Sequence, residues 1–250
     1  MDSVAIIQAR MSSTRLPKKI LMKINGVSII ESLLNQLSYS KFLSGKIIAT
    51  SDEISELPLI KQLDFLKISY FRGSHTDVLD RYYHCAKYHN IKQIVRISGD
   101  APFIDPCVVD KTINFFNNSN FDYVNNFNDK NRYPVGSEVE IFSFKTLERA
   151  WKNAQKPSER EHVTSYIYNH PEDFKIGHLE YPCDLSHLHW TVDRIEDLEF
   201  VRAVYKNIDK KPILVEDILD LLKIKPHLLE INKNIDSHEG YTKSLEADKN

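Results

Sequence analysis

Ser3-Val4-Ala5-Ile6-Ile7-Gln8-Ala9 is a short apolar run of the kind that fills a buried parallel strand. A polar, basic loop follows from Arg10 to Lys19, and then Ser28 stands where it can cap a helix whose apolar stripe is Ile29, Ile30, Leu33, Leu34 and Leu37. Outward from there the same alternation repeats. Lys46 to Thr50 reads as a strand, Ile54 to Leu66 as an amphipathic helix, and Lys67 to Phe71 as a strand. Asp77 to Asn90 reads as a helix, and Gln93 to Ile97 as a strand that ends in Ser98-Gly99-Asp100. Such a βαβα succession predicts an α/β fold, a mostly parallel central sheet flanked by helices on both faces.

The second half is less regular. A helix is expected from Pro106 to Phe116, a strand from Val135 to Phe142, and helices over Lys145–Ala154 and Ser158–Asn169. Strands are expected at Lys175–Tyr181 and His189–Val192, then helices at Ile195–Asn207 and Ile213–Lys223. With no repeat or Gly/Ser linker, one domain is expected over 1–250. It divides into a regular half (1–118), an irregular half (119–235) and a polar tail (236–250).

Composition narrows the function classes. The 250 residues carry 33 basic and 35 acidic side chains, a net charge of −2, which argues against a nucleic-acid binder needing a broad basic face. The apolar stretches are too short to insert in a membrane, no secretory leader is read, and Cys85, Cys107 and Cys183 are odd in number and widely spaced. The expectation is a cytoplasmic protein with free thiols, Cys107 and Cys183 serving in packing. The seven glycines form neither G-x-G-x-x-G nor G-x-x-x-x-G-K-[ST], so any phosphate site uses another loop.

In open α/β sheets ligands gather beyond the C-terminal ends of the strands. The first such loop carries Arg10, Arg15, Lys18, Lys19 and Lys23 with Ser12, Ser13 and Thr14 between them. It is either a solvated basic loop or a polyphosphate cradle of guanidinium forks, ammonium charges and hydroxyls. Asp100 ends another strand, where Gly99 permits close backbone approach. It can cap a turn or hold Mg²⁺ against phosphate oxygens. Asp193 follows Trp190-Thr191-Val192 and can likewise cap the helix Ile195–Asn207. His187 and His189 lack the spacing and the cysteines of a zinc site. Glu159, Arg160, Glu161 and His162 read as charges at a helix start.

Taken together these segments resemble the cytidylyltransferases of the nucleotide-diphospho-sugar transferase fold, a Rossmann-like architecture. Among them the spore coat polysaccharide biosynthesis protein SpsF family is most similar, with the 3-deoxy-manno-octulosonate and acylneuraminate cytidylyltransferases as relatives. The resemblance is carried by Ile6-Ile7-Gln8-Ala9-Arg10-Met11-Ser12-Ser13-Thr14-Arg15-Leu16-Pro17, by Arg72-Gly73-Ser74 with Asp77 to Tyr83, by Val95 to Pro106, by Trp190-Thr191-Val192-Asp193, and by the tail Asn234 to Ala247. It implies transfer of CMP from CTP to a small anionic acceptor, an acidic sugar or a phosphorylated or phosphonylated compound, with release of pyrophosphate.

The resemblance also implies site roles. Arg10 and Lys19 hold the triphosphate, while Gln8, Ala9, Ser12, Ser13, Arg15 and Ser98 line the nucleotide site. Gly73, Ser74, Asp77 and Arg81 lie near base and ribose, and Asp100 and Asp193 are the Mg²⁺ ligands. Arg132, Tyr133, Glu138 and Glu140 are candidate acceptor contacts, and the resemblance implies that 1–118 is the nucleotide-binding half and 119–235 the acceptor half, through which a homodimer forms. Two positions depart from the family pattern: Lys18 stands where relatives have Gly, and Ala101 where they have a larger residue. Other readings of the same residues are a transferase using another nucleoside triphosphate, a glycosyltransferase using a nucleotide sugar, and a nucleotide-binding homologue without turnover.

Overall fold

The N-terminal apolar run lies in the middle of the central sheet. In the computed structural model, which describes residues 2–13, 15–127, 132–233, 235, 244 and 248, the first half runs through β1 (Ser3–Gln8), the short hairpin β2 (Lys23–Ile24) and β3 (Val27–Ser28), α1 (Ile29–Leu37), β4 (Leu43–Ser51), α2 (Leu57–Phe65), β5 (Ser69–Gly73), α3 (Val78–Tyr88), β6 (Gln93–Ser98) and α4 (Pro106–Asn117). The second half adds β7 (Tyr123–Asn125), β8 (Glu140–Ser143), α5 (Phe144–Asn153), α6 (Pro157–Glu161), α7 (Ser165–Asn169), β9 (Ile176–His178), α8 (Ile195–Asn207) and α9 (Val215–Ile224). Thr14 and most of the tail segment Asn234–Ala247 that carried part of the resemblance lie outside the described residues.

Among the described residues the main sheet has the order β5-β4-β1-β6-β8-β7-β9. β1 pairs in parallel with β4 and β6, β4 with β5, and β7 with β9; β8 alone runs against its neighbours β6 and β7. The α/β, mostly parallel sheet expected from the sequence is therefore present. Because β4 lies on one side of β1 and β6 on the other, a crevice opens beyond the C-terminal end of β1, at the switch in strand order. Gln8 stands beside Ala49 on one flank and Ser98 on the other.

Period-two alternation splits β1 between two cores. Ala5 and Ile7 pack with α1, α4, α8 and α9 through residues such as Leu33, Val109, Val201 and Ile218. Ile6 faces the other way, against α3, α5 and α7 through Leu79, Leu147 and Ile167. Burial of these side chains contributes about 1.5–3 kcal/mol each and fixes β1 as the reference for everything attached to its end. Helix starts follow capping chemistry: Ser28 Oγ accepts the Glu31 N–H, Asp77 accepts that of Asp80, and Asp105 accepts those of Cys107 and Val108.

The differences from the sequence reading lie in the second half. The helix expected over Ser158–Asn169 breaks into α6 and α7 at His162–Thr164, where buried Val163 has a φ of 62°. The strand expected from Val135 to Phe142 shrinks to β8, because Pro134 cannot donate and Gly136 turns the chain at a φ of 99°. His189 contributes one bridge to Val135 rather than a strand. β7, only three residues long, gives too little alternation to be read. Cys85 is buried, but Cys107 and Cys183 are exposed free thiols, so a packing role fails for those two. No helix among the described residues is long and apolar enough to cross a membrane.

Candidate active site

The loop after β1 is shaped by three local devices. Lys18 takes the left-handed conformation, φ 62° and ψ 18°, so the turn that a glycine would make is made here by a lysine whose side chain points to solvent. That turn leads into a 3₁₀ turn at Lys19–Leu21, which directs Lys19 inward to only 8% exposure. Behind the loop, fully buried Glu56 accepts the Met11 N–H with both carboxylate oxygens (3.1 and 2.9 Å) and the hydroxyls of Thr50 (2.9 Å) and Ser51 (3.3 Å). On the neighbouring strand Gly99 donates its N–H to Gln8 O at 2.8 Å, and a Cβ there would lie 2.6 Å from that oxygen.

At the centre Lys19 Nζ donates to Asp100 Oδ2 at 2.5 Å and to Asp193 Oδ1 at 2.8 Å. Arg15 reaches the same Asp193 oxygen at 2.7 Å, and Ser98 Oγ donates to Asp100 Oδ1 at 2.6 Å. Burial opposes the charge on Lys19, but the pull of both carboxylates and its hydrogen bonds to them raise its pKa. Burial likewise opposes ionisation of Asp193, and Lys19 and Arg15 reverse that, holding its carboxyl below the usual range. Asp193 does not cap α8. Asp197 takes the backbone N–H groups of Asp193 and Arg194 at 3.0 and 2.9 Å, which frees the Asp193 side chain for the cleft.

These groups share a cleft of about 310 Å³, whose walls include Gln8, Ala9, Arg10, Ser12, Ser13 and Ser98 with Arg15, Lys19, Asp100 and Asp193. Segments almost two hundred residues apart in sequence thus meet where the strand order switches. Asp100 and Asp193 converge on one ammonium, a pair of hard oxygen donors around a cation. That set suits Mg²⁺, which takes one or two carboxylates and fills its shell with phosphate and water. Among the described residues no cluster of three or more His, Cys, Asp or Glu side chains offers a richer metal site.

Other sequence candidates lie elsewhere. Gly73 ends β5, and Ser74 Oγ accepts the N–H of Asp77, whose carboxylate caps α3 and pairs with Arg160 at 2.6 Å. Arg81 is fully buried on α3; its three guanidinium nitrogens find no hydrogen-bond partner among the described residues, and its charge is felt alongside Arg10, Glu56 and Asp52. None of these four belongs to the cleft wall. The four acceptor candidates do not line it either. Tyr133 is buried edge-on against Tyr181, and Arg132 follows a different loop, its carbonyl accepting the Leu185 N–H. Burial pushes the Glu138 carboxyl up to about 7, against the Gly136 N–H that it accepts at 2.6 Å. Glu140 is 2% exposed and is taken up by Arg96, Tyr123 and Thr164, behind the cleft wall.

Four wall residues escaped the sequence reading: the apolar Ile20 and the polar Arg96, Glu161 and His162. Arg96 had a signal, since it is the one charge within the apolar strand Gln93–Ser98 and shares a face with Ser98 two positions on. Glu161 and His162 had none, because an unbroken helix was expected there. His189 is not on the cleft wall; it is buried, 3.5 Å from Asp197 and 3.0 Å from the Thr191 hydroxyl.

Comparison with known proteins places this geometry. A family model described as cytidylyltransferase matches residues 4–235. The chain is 38% identical to an uncharacterised protein of Methanocaldococcus jannaschii over 94% of its own length and 96% of that protein. It is 32% identical to the spore coat polysaccharide biosynthesis protein SpsF of Bacillus subtilis, over 90% of this chain and 95% of that one. The solved structure of a cytidylyltransferase from Leptospira borgpetersenii serovar Hardjo-bovis is similar with a TM-score of 0.87 at 31% identity, covering 94% of this chain and 98% of that chain.

Proposed function

The chain belongs to the cytidylyltransferase family and is a nucleotidyltransferase, and on that premise we propose that it transfers CMP from CTP to a small anionic acceptor and releases pyrophosphate, with Mg²⁺ as cofactor. The observation that carries this reading is the meeting of Asp100, Asp193, Lys19 and Arg15 beyond β1. Similarity to a relative named for spore coat polysaccharide biosynthesis supports surface-polysaccharide synthesis as the setting.

In this reading the α-phosphorus forms a bond to an acceptor oxygen while its bond to the β-phosphate bridging oxygen breaks. The electron pair leaves with pyrophosphate, so the demand on the protein is placement and charge neutralisation. Arg10, Arg15 and Lys19 supply fixed positive charge for the triphosphate and the leaving pyrophosphate, and Ser12 and Ser13 add hydroxyl donors. Backbone at Gln8 and Ala9 lines the nucleoside end, with the buried charge of Arg81 set behind Arg10. Asp100 and Asp193 would hold the metal, which supplies further charge stabilisation at the α-phosphate. Ser98 keeps Asp100 oriented.

Thermal melting with CTP, UTP, ATP, GTP and dTTP, each with Mg²⁺ and with chelator, tests the reading. Ligand at about a hundred times its Kd stabilises by ~2.7 kcal/mol, a rise of roughly 5–10 °C for a chain of this size. A CTP-selective, Mg²⁺-enhanced shift is expected, and Asp100→Asn should melt normally but lose the Mg²⁺ enhancement and turnover. A preference for another nucleotide overturns the base assignment, and full activity of Asp100→Asn overturns the metal assignment.

A further inference from the structure

Arg96, Glu161 and His162 form a stretch of the cleft wall that the nucleotide reading does not use. His162 sits in the break between α6 and α7, and the break is held by an expensive conformation. Val163 is buried and β-branched, yet its φ is 62°; backbone of this kind costs about 1–3 kcal/mol and persists only where the surroundings enforce it. Enforcement comes from Thr164, whose N–H returns to His162 O at 2.5 Å and whose hydroxyl donates to Glu140. Glu140 also takes the Tyr123 hydroxyl at 2.8 Å and pairs with Arg96. One buried carboxylate therefore fixes both Arg96 and the turn that carries His162. Without that turn α6 and α7 would join as the continuous helix the sequence favours.

We propose that His162 accepts the proton of the acceptor hydroxyl that attacks the α-phosphorus, and that Arg96 beside it holds an anionic group of the same acceptor; the inference rests on the cytidylyl-transfer reading. The step balances simply. The O–H bond breaks and its proton moves to the imidazole, the oxygen bonds to the α-phosphorus, and pyrophosphate departs with the electron pair of the broken P–O bond. The charged groups felt at His162 include Glu161 at the end of α6, Arg96 on β6, Glu140 on β8 and Asp248. Burial first, and Arg96 after it, lower the imidazole pKa against the three acids, which favours the neutral form that can accept a proton. A phosphate nucleophile arrives already ionised and has no use for such a base. The acceptor of this site therefore attacks through a hydroxyl.

The test uses the full chain with CTP and Mg²⁺, following pyrophosphate release from about pH 5.5 to 8.5. The acceptors are two hydroxyl acids, 3-deoxy-manno-octulosonate and N-acetylneuraminate, and one phosphate monoester, glucose 1-phosphate. Turnover of a hydroxyl acid is expected, with an acid limb in kcat. His162→Gln should lower kcat about 100-fold or more and abolish the limb, while the CTP-induced melting shift stays as in the parent. Arg96→Lys should raise the acceptor KM about tenfold with the CTP shift retained. His162→Asn gives the same comparison should Gln disturb the strained turn. The inference is overturned by a kcat within about threefold of the parent in both His162 variants, by an acid limb that survives them, or by turnover of glucose 1-phosphate alone or of no acceptor. A parent protein that gives no CTP shift at all overturns the cytidylyl-transfer reading itself.

Discussion

Glu56 offers the sharpest test of how the loop after β1 is built. The residue is fully buried, and its carboxylate accepts one backbone N–H and two hydroxyls: Met11 through both oxygens, Thr50 and Ser51. Glu56→Ala strands all three donors in the interior. An unsatisfied buried donor costs about 1–3 kcal/mol. The two hydroxyls can rotate toward other acceptors, so counting the Met11 N–H in full and one hydroxyl gives about 2–6 kcal/mol. Glu56→Gln keeps one acceptor oxygen and introduces an amide that the hydroxyls can accept from, so its cost is lower, about 1–2 kcal/mol. For a chain of this size a loss of ~3 kcal/mol lowers Tm by roughly 6–12 °C. Met11 lies between Arg10 and Ser12, both on the cleft wall, so loosening its N–H also costs CTP affinity. Urea denaturation reads the first effect, and the CTP-induced melting shift at fixed nucleotide reads the second. A Glu56→Ala protein with the parent urea midpoint and the parent CTP shift would refute the reasoning. The two effects in the order Ala greater than Gln would sustain it.

Other perturbations follow from the same contacts. Lys18→Gly should raise stability by about 0.5–1 kcal/mol, the left-handed strain relieved less the entropy glycine loses on folding, with the CTP shift unchanged because Lys18 is not on the cleft wall; a lower Tm would show that the lysine side chain contributes more than its backbone costs. Gly99→Ala should lower stability by about 1–3 kcal/mol and suppress pyrophosphate release, since its Cβ would meet Gln8 O at 2.6 Å and Ala9 Cβ at 2.8 Å; parent-like urea midpoint and turnover would contradict it. His189→Gln tests the buried pair with Asp197. Burial works against the His189 charge, but Asp197, Asp193 and Glu138 raise its pKa, while His189 and Asn232 help hold Asp197 low in spite of burial. The histidine contribution is thus full below about pH 6.5, its unfolded value, and fades as pH rises through the raised folded value. The Asp197 contribution fades only as pH falls through its depressed value. The stability difference between parent and His189→Gln should be about 1.5–3 kcal/mol near pH 6 and smaller near pH 9; a difference independent of pH would refute the pairing.

Legibility in the sequence followed how local the physics was. β1, α3, β6 and α8 were readable because their apolar periodicity and caps lie within a few residues; α8 spans Ile195–Asn207, as its pattern indicates. The cations of the β1 loop were readable for the same reason, as was Asp100 behind Gly99. Whether Asp193 capped a helix or faced a ligand could not be read locally. Asp197, four positions on, performs the capping, which leaves the Asp193 side chain on the cleft wall. Glu138 and Glu140 looked alike in sequence, two acids in an irregular segment. Pairing of β8 with β6 sets Glu140 opposite Arg96, a register that only the folded sheet defines. The break at His162 was invisible because Val163 adopts a conformation that its own side chain disfavours, imposed by a carboxylate far away in sequence.

That contrast suggests how the cleft is held together. Three of its segments are tied from behind by a buried carboxylate that does not itself enter the cleft wall. Glu56 holds the β1 loop at Met11, Glu140 holds Arg96 and the His162 turn, and Asp197 holds the backbone of Asp193. Buried acids are costly unless every oxygen is satisfied, and here the satisfying donors include groups of the very segments the acids hold: the Met11 N–H, Arg96 and the Thr164 hydroxyl, and the Asp193 and Arg194 N–H groups. The cost of burial is thereby offset by contacts that also fix the geometry of Arg10, His162 and Asp193, groups whose chemistry depends on position more than on covalent reactivity. A substitution at one of these three acids should therefore leave the cleft's charges present but misplaced. Its kinetic signature differs from that of removing Lys19 or Asp100: nucleotide affinity falls first for Glu56, acceptor KM for Glu140, and metal dependence for Asp197. If all three variants showed one common pattern, the acids would be acting through general stability, and the division of positioning among them would be wrong.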